Sequence, residues 1–436
     1  MVHTAWGLLG PEMLATERRT RTLGLGATVR SFNDLAVPGL GGVWFGKQLL
    51  LATLGVAVAE GVRNAGKRAQ NIEVANAVEA LACWLALNDD WQPDPRLRGA
   101  TKLRGKTDVA FATMRKPTFY VTQPMRQATV QPLRALGLVE SIGERFNAFG
   151  CTQLGHEFIQ SACDGFEPYN RSVLDHLVRW ANGIHDKVRS SAELTKALSP
   201  LESMPKNARD FLRERVVQGT GTEAIRRRQA HNWVQRLRDN PQEQIAWDTK
   251  PAMLDDTHWL DLHAGALFFT ARDAAIALLD EIEAHIAKKT DRQMSLNTAL
   301  PEPVVDKIKS LRECSQSFLD NAHDPSHEFS AGGFCRECTE QSEARLLEKL
   351  LQREGRVLSL RSRAIVPGVA FRGMQDSRPA SARSPEEDGA ESEIKQTVPL
   401  PDGISHRVRN LFLLNLDLCG ELDAWLGNPS GSNGEA

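Results

Sequence analysis

Along most of this chain, apolar residues recur at helical spacing, and that period makes the expected fold class mainly α. Residues 43–62 predict a helix around the run Leu49 to Ala59, the most apolar stretch in the sequence. Lys47 and Glu60 flank that run closely, so it is too short to span a bilayer and reads as a buried helix. A second helix is expected over 71–87, where Val74, Val78, Leu81, Trp84 and Leu85 form one apolar stripe. The segment DDWQPDPRLRG that follows is a break, because prolines and glycine interrupt any regular element.

From Phe166 onward helices are expected at 168–189, 207–217, 221–237, 256–286, 303–320 and 337–353. A last helix over 405–426 presents Val408, Leu411, Leu414 and Leu418. Between these two groups, VLSLRSRAIVPGVAF (357–371) is β-branched and alternating, which predicts a small hairpin or two edge strands. Residues 374–400 are dense in Ser, Pro, Asp and Glu with no aromatic and no period, so a disordered linker is expected. The tail GNPSGSNGEA carries the same expectation.

Residues 117–162 interrupt the helical text. A helix opened near Thr122–Pro124 and closed at Gly137 would be followed by a short strand at Leu138 and Val139 and a turn at Gly143. A second strand over Arg145 to Gly150 and a helix from Thr152, with Phe158 and Ile159 facing inward, complete the unit. This order, ending in Thr152-Gln-Leu-Gly155, resembles the second half of a winged helix-turn-helix domain. The resemblance extends back to the helix at 71–87 and a short one near 107–114. It implies a recognition helix, a two-stranded wing and contact with DNA. Pro132 departs from the pattern, because a proline inside a helix removes a hydrogen bond and introduces a kink.

Charge adds to this picture only locally. The 436 residues hold 53 Lys and Arg against 55 Asp and Glu, a net charge of about −2, so no global claim on nucleic acid or membrane follows. Residues 96–134, however, carry Arg96, Arg98, Lys102, Arg104, Lys106, Arg115, Lys116, Arg126 and Arg134 against the single acid Asp108. Such an excess can neutralise phosphates and give salt-dependent affinity. The candidate nucleic-acid contacts are Arg104, Lys106, Arg115, Lys116, Gln123, Arg126 and Gln127, with Arg145 in the wing. Arg226, Arg227, Arg228, His231, Arg236 and Arg238 form a second basic helix, read first as a solvated face and second as an extension of the nucleic-acid surface.

The seven cysteines are odd in number and scattered, which argues against a disulfide framework and for a reducing, cytoplasmic setting. The first residues lack a basic stretch before a long apolar one, so no leader is expected there. Cys335 and Cys338 form a C-x-x-C pair, and Cys314, His323 and His327 stand close by in sequence. Together they are a candidate ligand set for structural zinc, with a redox dithiol or two plain buried thiols as the alternatives.

Two other strings carry less. Gly41 to Lys47 matches G-x-x-x-x-G-K, but Gln48 stands where a phosphate loop needs a hydroxyl, so a glycine-rich helix start is expected. His258 and His263, amid Asp255, Asp256 and Asp261, are five residues apart and do not share a helical face; Asp255 or Thr257 reads as an N-cap.

The expected organisation is an N-terminal arm and buried helix at 1–68, a winged-helix-like domain at 69–165 and a helical body at 166–373 holding the zinc knot at 314–338. A linker at 374–400, a docking helix at 401–426 and a tail at 427–436 follow. With no legible catalytic centre, the expected function is non-catalytic binding of nucleic acid, DNA before RNA, with the body serving a homodimer or protein partners and no membrane. The alternative is a scaffold or accessory subunit whose winged helix packs on protein.

Overall fold

The computed structural model describes residues 21–87, 94–143, 145–184, 191–240, 246–371 and 398–427. The expected linker falls almost wholly outside the described residues, as do nine residues of the tail. The described chain is mainly helical with little strand. It divides into two compact units: Met1–Thr28 with Leu267–Ser384, and Val29–Ala266 with Pro385–Ala436.

The larger unit begins within α1 (Gly26–Ala36) and is organised around α2 (Gly46–Asn64). Every residue of α2 from Gly46 to Ala59 is buried, as the unbroken apolar run requires. Its start has to satisfy helical N–H groups that have no partner within the helix. Gln48 folds back so that its Oε1 accepts from the Trp44 and Phe45 N–H groups at 2.8 and 3.4 Å. Asp417 Oδ2 accepts from Gly46 N–H at 2.8 Å. Lys47 is buried and donates to the carbonyls of Lys196 and Ala197. The phosphate-loop string is thus a helix start capped by the chain's own carboxylate, with its lysine bonded to backbone.

Against α2 packs α3 (Asn71–Ala86); the short α4 (Ala100–Leu103) and α5 (Phe111–Met114) lie on α3, and α6 (Arg126–Ala135) returns to α2. The short antiparallel pair β1 (Val139–Glu140) and β2 (Gly150–Cys151) follows, in register Val139 to Cys151, and then α7 (Gln153–Ala162). Next come α8 (Val173–Ala181), α9 (Ala192–Leu198), α10 (Lys206–Val217) and α11 (Thr222–Asp239). The long helix α12 (Asp256–Lys288) opens on Asp255, whose Oδ1 accepts from His258 N–H at 2.7 Å, the N-cap read from sequence. Among the described residues α12 alone is long and apolar enough to cross a membrane by composition, and 67% of its most apolar window is buried in the fold.

The smaller unit takes the rest of α12 together with β3 (Met294–Ser295), α13 (Glu302–Asp320), α14 (Ser330–Cys338) and α15 (Glu343–Glu354). The hairpin expected at 357–371 is present as β4 (Leu358–Arg361) and β5 (Ala364–Pro367), and β3 pairs on the free edge of β5. The helix expected over 337–353 is two helices, because Ser342 caps α15 by accepting from Arg345 N–H. Phe268, Phe318 and Phe334 meet edge to face in this core. Arg21, wholly buried, is bonded to Asp280 and Glu283, and Glu354 stands 3.9 Å away.

The chain then returns to the larger unit as α16 (His406–Cys419) and α17 (Leu422–Leu426), split at Gly420, which has the positive φ of a helix-terminating glycine. In α16 the polar residues Asn410, Asn415 and Asp417 are buried along with the leucines. Asn415 Nδ2 lies 3.3 Å from Nε2 of the buried His231 on α11. Burial, with Arg213 and Arg238 nearby, holds the His231 pKa below the ordinary imidazole range, although a contact with Asn232 opposes the shift. With the folded-state pKa depressed, His231 contributes stability that is complete above about pH 6.5 and lost as pH falls below it, by up to ~1.4 kcal/mol per unit. We expect His231→Gln to shrink the fall in urea midpoint between pH 7.5 and pH 5.5; an unchanged fall would refute this assignment.

Candidate nucleic-acid interface

The helix, hairpin and helix at 126–162 are held in place by identifiable contacts. Glu79, buried on α3, receives the Met125 and Arg126 N–H groups at 2.7 and 3.1 Å and so caps the start of α6. The far end of α6 closes on Gly137 (φ +73), where Leu138 N–H reaches the Leu133 carbonyl at 2.9 Å in a Schellman pattern. Pro132 lies buried inside α6 and has no N–H for the Ala128 carbonyl. Gly41 packs at that point: a Cβ there would come within 2.8 Å of Ala128 O, and φ is +51.

The Thr152-x-x-Gly155 pattern has a similar explanation. Thr152 Oγ1 accepts from Gly155 N–H at 3.0 Å and donates to the Gly137 carbonyl at 2.7 Å. A Cβ at Gly155 would stand 2.2 Å from Leu138 O, so α7 can meet the hairpin only through glycine. Phe158 and Ile159 are buried.

The basic residues of this region separate into two groups. Arg96 is buried, bonded to Asp94 and to Asp423, which removes it from any phosphate-facing set. Lys102 donates to the Tyr120 carbonyl. Arg115 is half-buried and pairs with Glu73 at 2.8 Å. Arg126 is half-buried, donates to Asn76 Oδ1 at 2.8 Å and lies over the Phe146 ring at 5.3 Å. Gln123 is half-buried in the turn before α6, which opens at Arg126, later than the expected Thr122–Pro124.

Arg104, Lys106, Lys116, Gln127, Arg134 and Arg145 are exposed. Lys116, Arg134 and Arg145 make no ion pair among the described residues. Arg145 and the fully exposed Ile142 lie in the connection between β1 and β2. That connection is tied to the start of α3, where Asn147 Oδ1 accepts from Ile72 N–H at 2.9 Å and Asn71 donates to the Phe146 and Phe149 carbonyls.

The second basic helix behaves differently. Arg227 on α11 is buried and donates to the carbonyls of Val216, Pro38 and Gln218. Arg226 pairs with Asp261 at 2.7 Å, Arg228 donates to Val217 and Gly219, and Arg238 bonds Asp239 and Cys419. Of this run, Arg227 is engaged inside the unit and Arg226, Arg228 and Arg238 are bonded to neighbouring groups, while Arg236 is exposed. Sequence spacing could not distinguish the bonded arginines from an exposed run, because most of their acceptors are carbonyls and acids of other segments.

Cys335 and Cys338 both lie inside α14 and are buried. Burial pushes the Cys338 thiol up to about 12 and the Cys335 thiol higher still, so both are protonated thiols at neutral pH. The start of α14 is capped by Asp324, whose Oδ2 accepts from Gly332 N–H at 2.8 Å. Cys314 is half-buried on α13, and the His327 side chain is 82% exposed. Among the described residues no three His, Cys, Asp or Glu side chains converge to hold a metal ion, so the structure does not assemble Cys314, His323, His327, Cys335 and Cys338 as ligands.

Comparison of the chain with family models, with curated proteins and with solved structures finds no match. The reading of the site therefore stands on its residues.

Proposed function

We propose that the larger unit binds nucleic acid, DNA before RNA, through the winged-helix-like segment of α3 to α7, without catalysis. One contrast carries this reading. Of two basic runs in the same unit, that of α11 has Arg226, Arg227, Arg228 and Arg238 bonded to its own chain, whereas Lys116, Arg134 and Arg145 face solvent with no ion pair among the described residues. Exposed cations beside a hairpin that follows a capped helix suit the phosphate backbone, whose contacts position a protein on the duplex.

The test is a salt titration of duplex binding by the full chain. Affinity should fall steeply with salt, and Lys116→Ala with Arg145→Ala should reduce the log–log slope by about 2, close to 0.9 for each phosphate no longer neutralised. Absence of binding at low salt overturns the reading. The scaffold reading draws support from the exposed Ile142 on the hairpin and Ile184 after α8. It predicts that Ile142→Ser weakens a protein complex and leaves any duplex affinity unchanged.

A further inference from the structure

Reading base sequence takes several polar side chains that project from one exposed helix or strand face into a groove. The winged-helix-like segment does not offer such a face. On α6, Thr129, Pro132 and Leu133 are buried, and only Gln127, Arg134 and Ala135 are exposed. Gln127 donates to the Thr122 carbonyl at 3.3 Å, and the half-buried Gln131 donates to Asp34 at 3.0 Å. Every residue of α3 is buried or half-buried. The exposed face of α7 holds no Lys or Arg and carries Glu157, whose charge opposes the approach of phosphate.

The open cations gather instead around the first turn of α3, where three loops are fastened. In the β1–β2 connection, Asn147 accepts from Ile72 N–H at 2.9 Å and donates to Gln70 Oε1 at 3.4 Å. Arg115, just after α5, pairs with Glu73 at 2.8 Å and neutralises the acid of this turn. The loop from α2 runs directly into the turn, and Arg63 braces it by donating to the Ala69 carbonyl at 3.2 Å and Asn71 Oδ1 at 2.8 Å.

Each loop leaves one open cation beside its anchor. Arg145 lies two residues before Asn147, Lys116 one after Arg115 and Arg68 two before Gln70, and two residues of chain span at most about 7 Å. All three are exposed and make no side-chain hydrogen bond or ion pair among the described residues. Lys67, the neighbour of Arg68, is tied to the Asn182 carbonyl.

We propose that the phosphates of a duplex cross the first turn of α3, held by Lys116, Arg68 and Arg145, and that this contact reads no base sequence. This mode of binding rests on the nucleic-acid reading above and adds to it Arg68, from outside α3 to α7, and sequence independence. Each strand of B-DNA presents a charge about every 3.4 Å, so cations from adjoining loops meet successive phosphates without a helix entering the groove. Such contacts position a protein on the duplex and carry no sequence information.

The experiment is a salt titration of the full chain on a duplex pool with a randomised centre, followed by rounds of selection from that pool. Selection is expected to yield no duplex bound more than about tenfold tighter than the pool, whereas a sequence-reading protein prefers its site by about a thousandfold or more. Arg68→Ala should lower the log–log slope by about 0.9, one phosphate's share, and Arg68→Lys should keep the parent slope, since the charge suffices. Gln127→Ala, on α6, should bind the pool as the parent does.

An unchanged slope in Arg68→Ala, with a lowered one in the Lys116→Ala and Arg145→Ala variant, overturns the path over α3 and leaves the proposed function standing. A selected duplex beyond the tenfold limit, or pool affinity lost in Gln127→Ala, brings α6 into the contact and overturns sequence independence alone. Tighter binding to phosphatidylserine vesicles than to the pool assigns the cations to a membrane surface and overturns the proposal. No binding of the pool at low salt removes the proposed function and this mode with it.

Discussion

Replacing Gly55 by valine should destabilise the larger unit by about 3 kcal/mol or more, at the upper end of what overpacking a core costs. Gly55 lies midway along α2, where the helix meets α3 at its closest. A Cβ at that position would stand 2.5 Å from both Cα and Cβ of Ala75 and 3.2 Å from its backbone nitrogen. The obstacle is backbone, so no rotamer change relieves it and the two helices must move apart. Both are buried along this contact, and separating them would disturb Val74, Val78 and Leu81 together. Urea unfolding provides the check, with Gly221→Ala as the control: that glycine is the N-cap of α11, with φ −71 and open space around it, so a loss of no more than about 1 kcal/mol is expected. A Gly55→Val midpoint equal to the parent's would show that α2 and α3 are not packed as described.

The same contact shows what the sequence could and could not reveal. The apolar run of α2 signals burial directly, because few exposed helices lack polar residues over so many turns. The stripe Val74 to Leu85 on α3 was legible too, but Ala75, Ala77, Ala80 and Ala82 are buried with it. Alanine is neutral in a pattern of apolar and polar positions, so the wider face was hidden. The helices α1, α4 and α9 were missed because a glycine-flanked or four- to seven-residue helix shows too little of the 3.6 period. β3 is a strand only through its pairing with β5, a partner some seventy residues on.

The candidate site divides in the same way. Thr152, Gly137 and Gly155 act locally, so their roles could be read from spacing alone. The use of Arg96 could be read only in part: its partner Asp94 is two residues away, but the second, Asp423, lies 327 positions on. The C-x-x-C spacing is likewise silent on whether the pair sits in a turn or, as here, inside a helix with both thiols buried.

Glu79 is the residue on which the candidate interface most depends, and Glu79→Ala should lower stability by about 3 kcal/mol while Glu79→Gln loses less than half as much. The carboxylate accepts two N–H groups at the start of α6, and Tyr120 and Arg126 also interact with it. Alanine would leave buried donors unmatched, at roughly 1–3 kcal/mol each. Glutamine keeps one acceptor oxygen in place.

The charge itself works against the fold: burial raises the Glu79 pKa, and the hydrogen bonds from Met125 and Arg126 only partly offset that. A carboxyl whose folded-state pKa is raised adds stability below its unfolded pKa and loses it as pH rises through the folded one. The parent chain therefore carries a desolvation penalty at neutral pH that Glu79→Gln lacks, which is why the amide is expected to be the milder change. Urea midpoints of the three proteins at pH 7.5 and pH 5.5 test both points. Lowering the pH relieves the parent of that penalty, so its lead over each variant should grow, and by the same amount, because neither variant titrates at position 79. The difference between Glu79→Gln and Glu79→Ala should be the same at both values. Equal losses for the two variants would mean that the charge of Glu79, rather than its capping oxygens, holds α6 against α3.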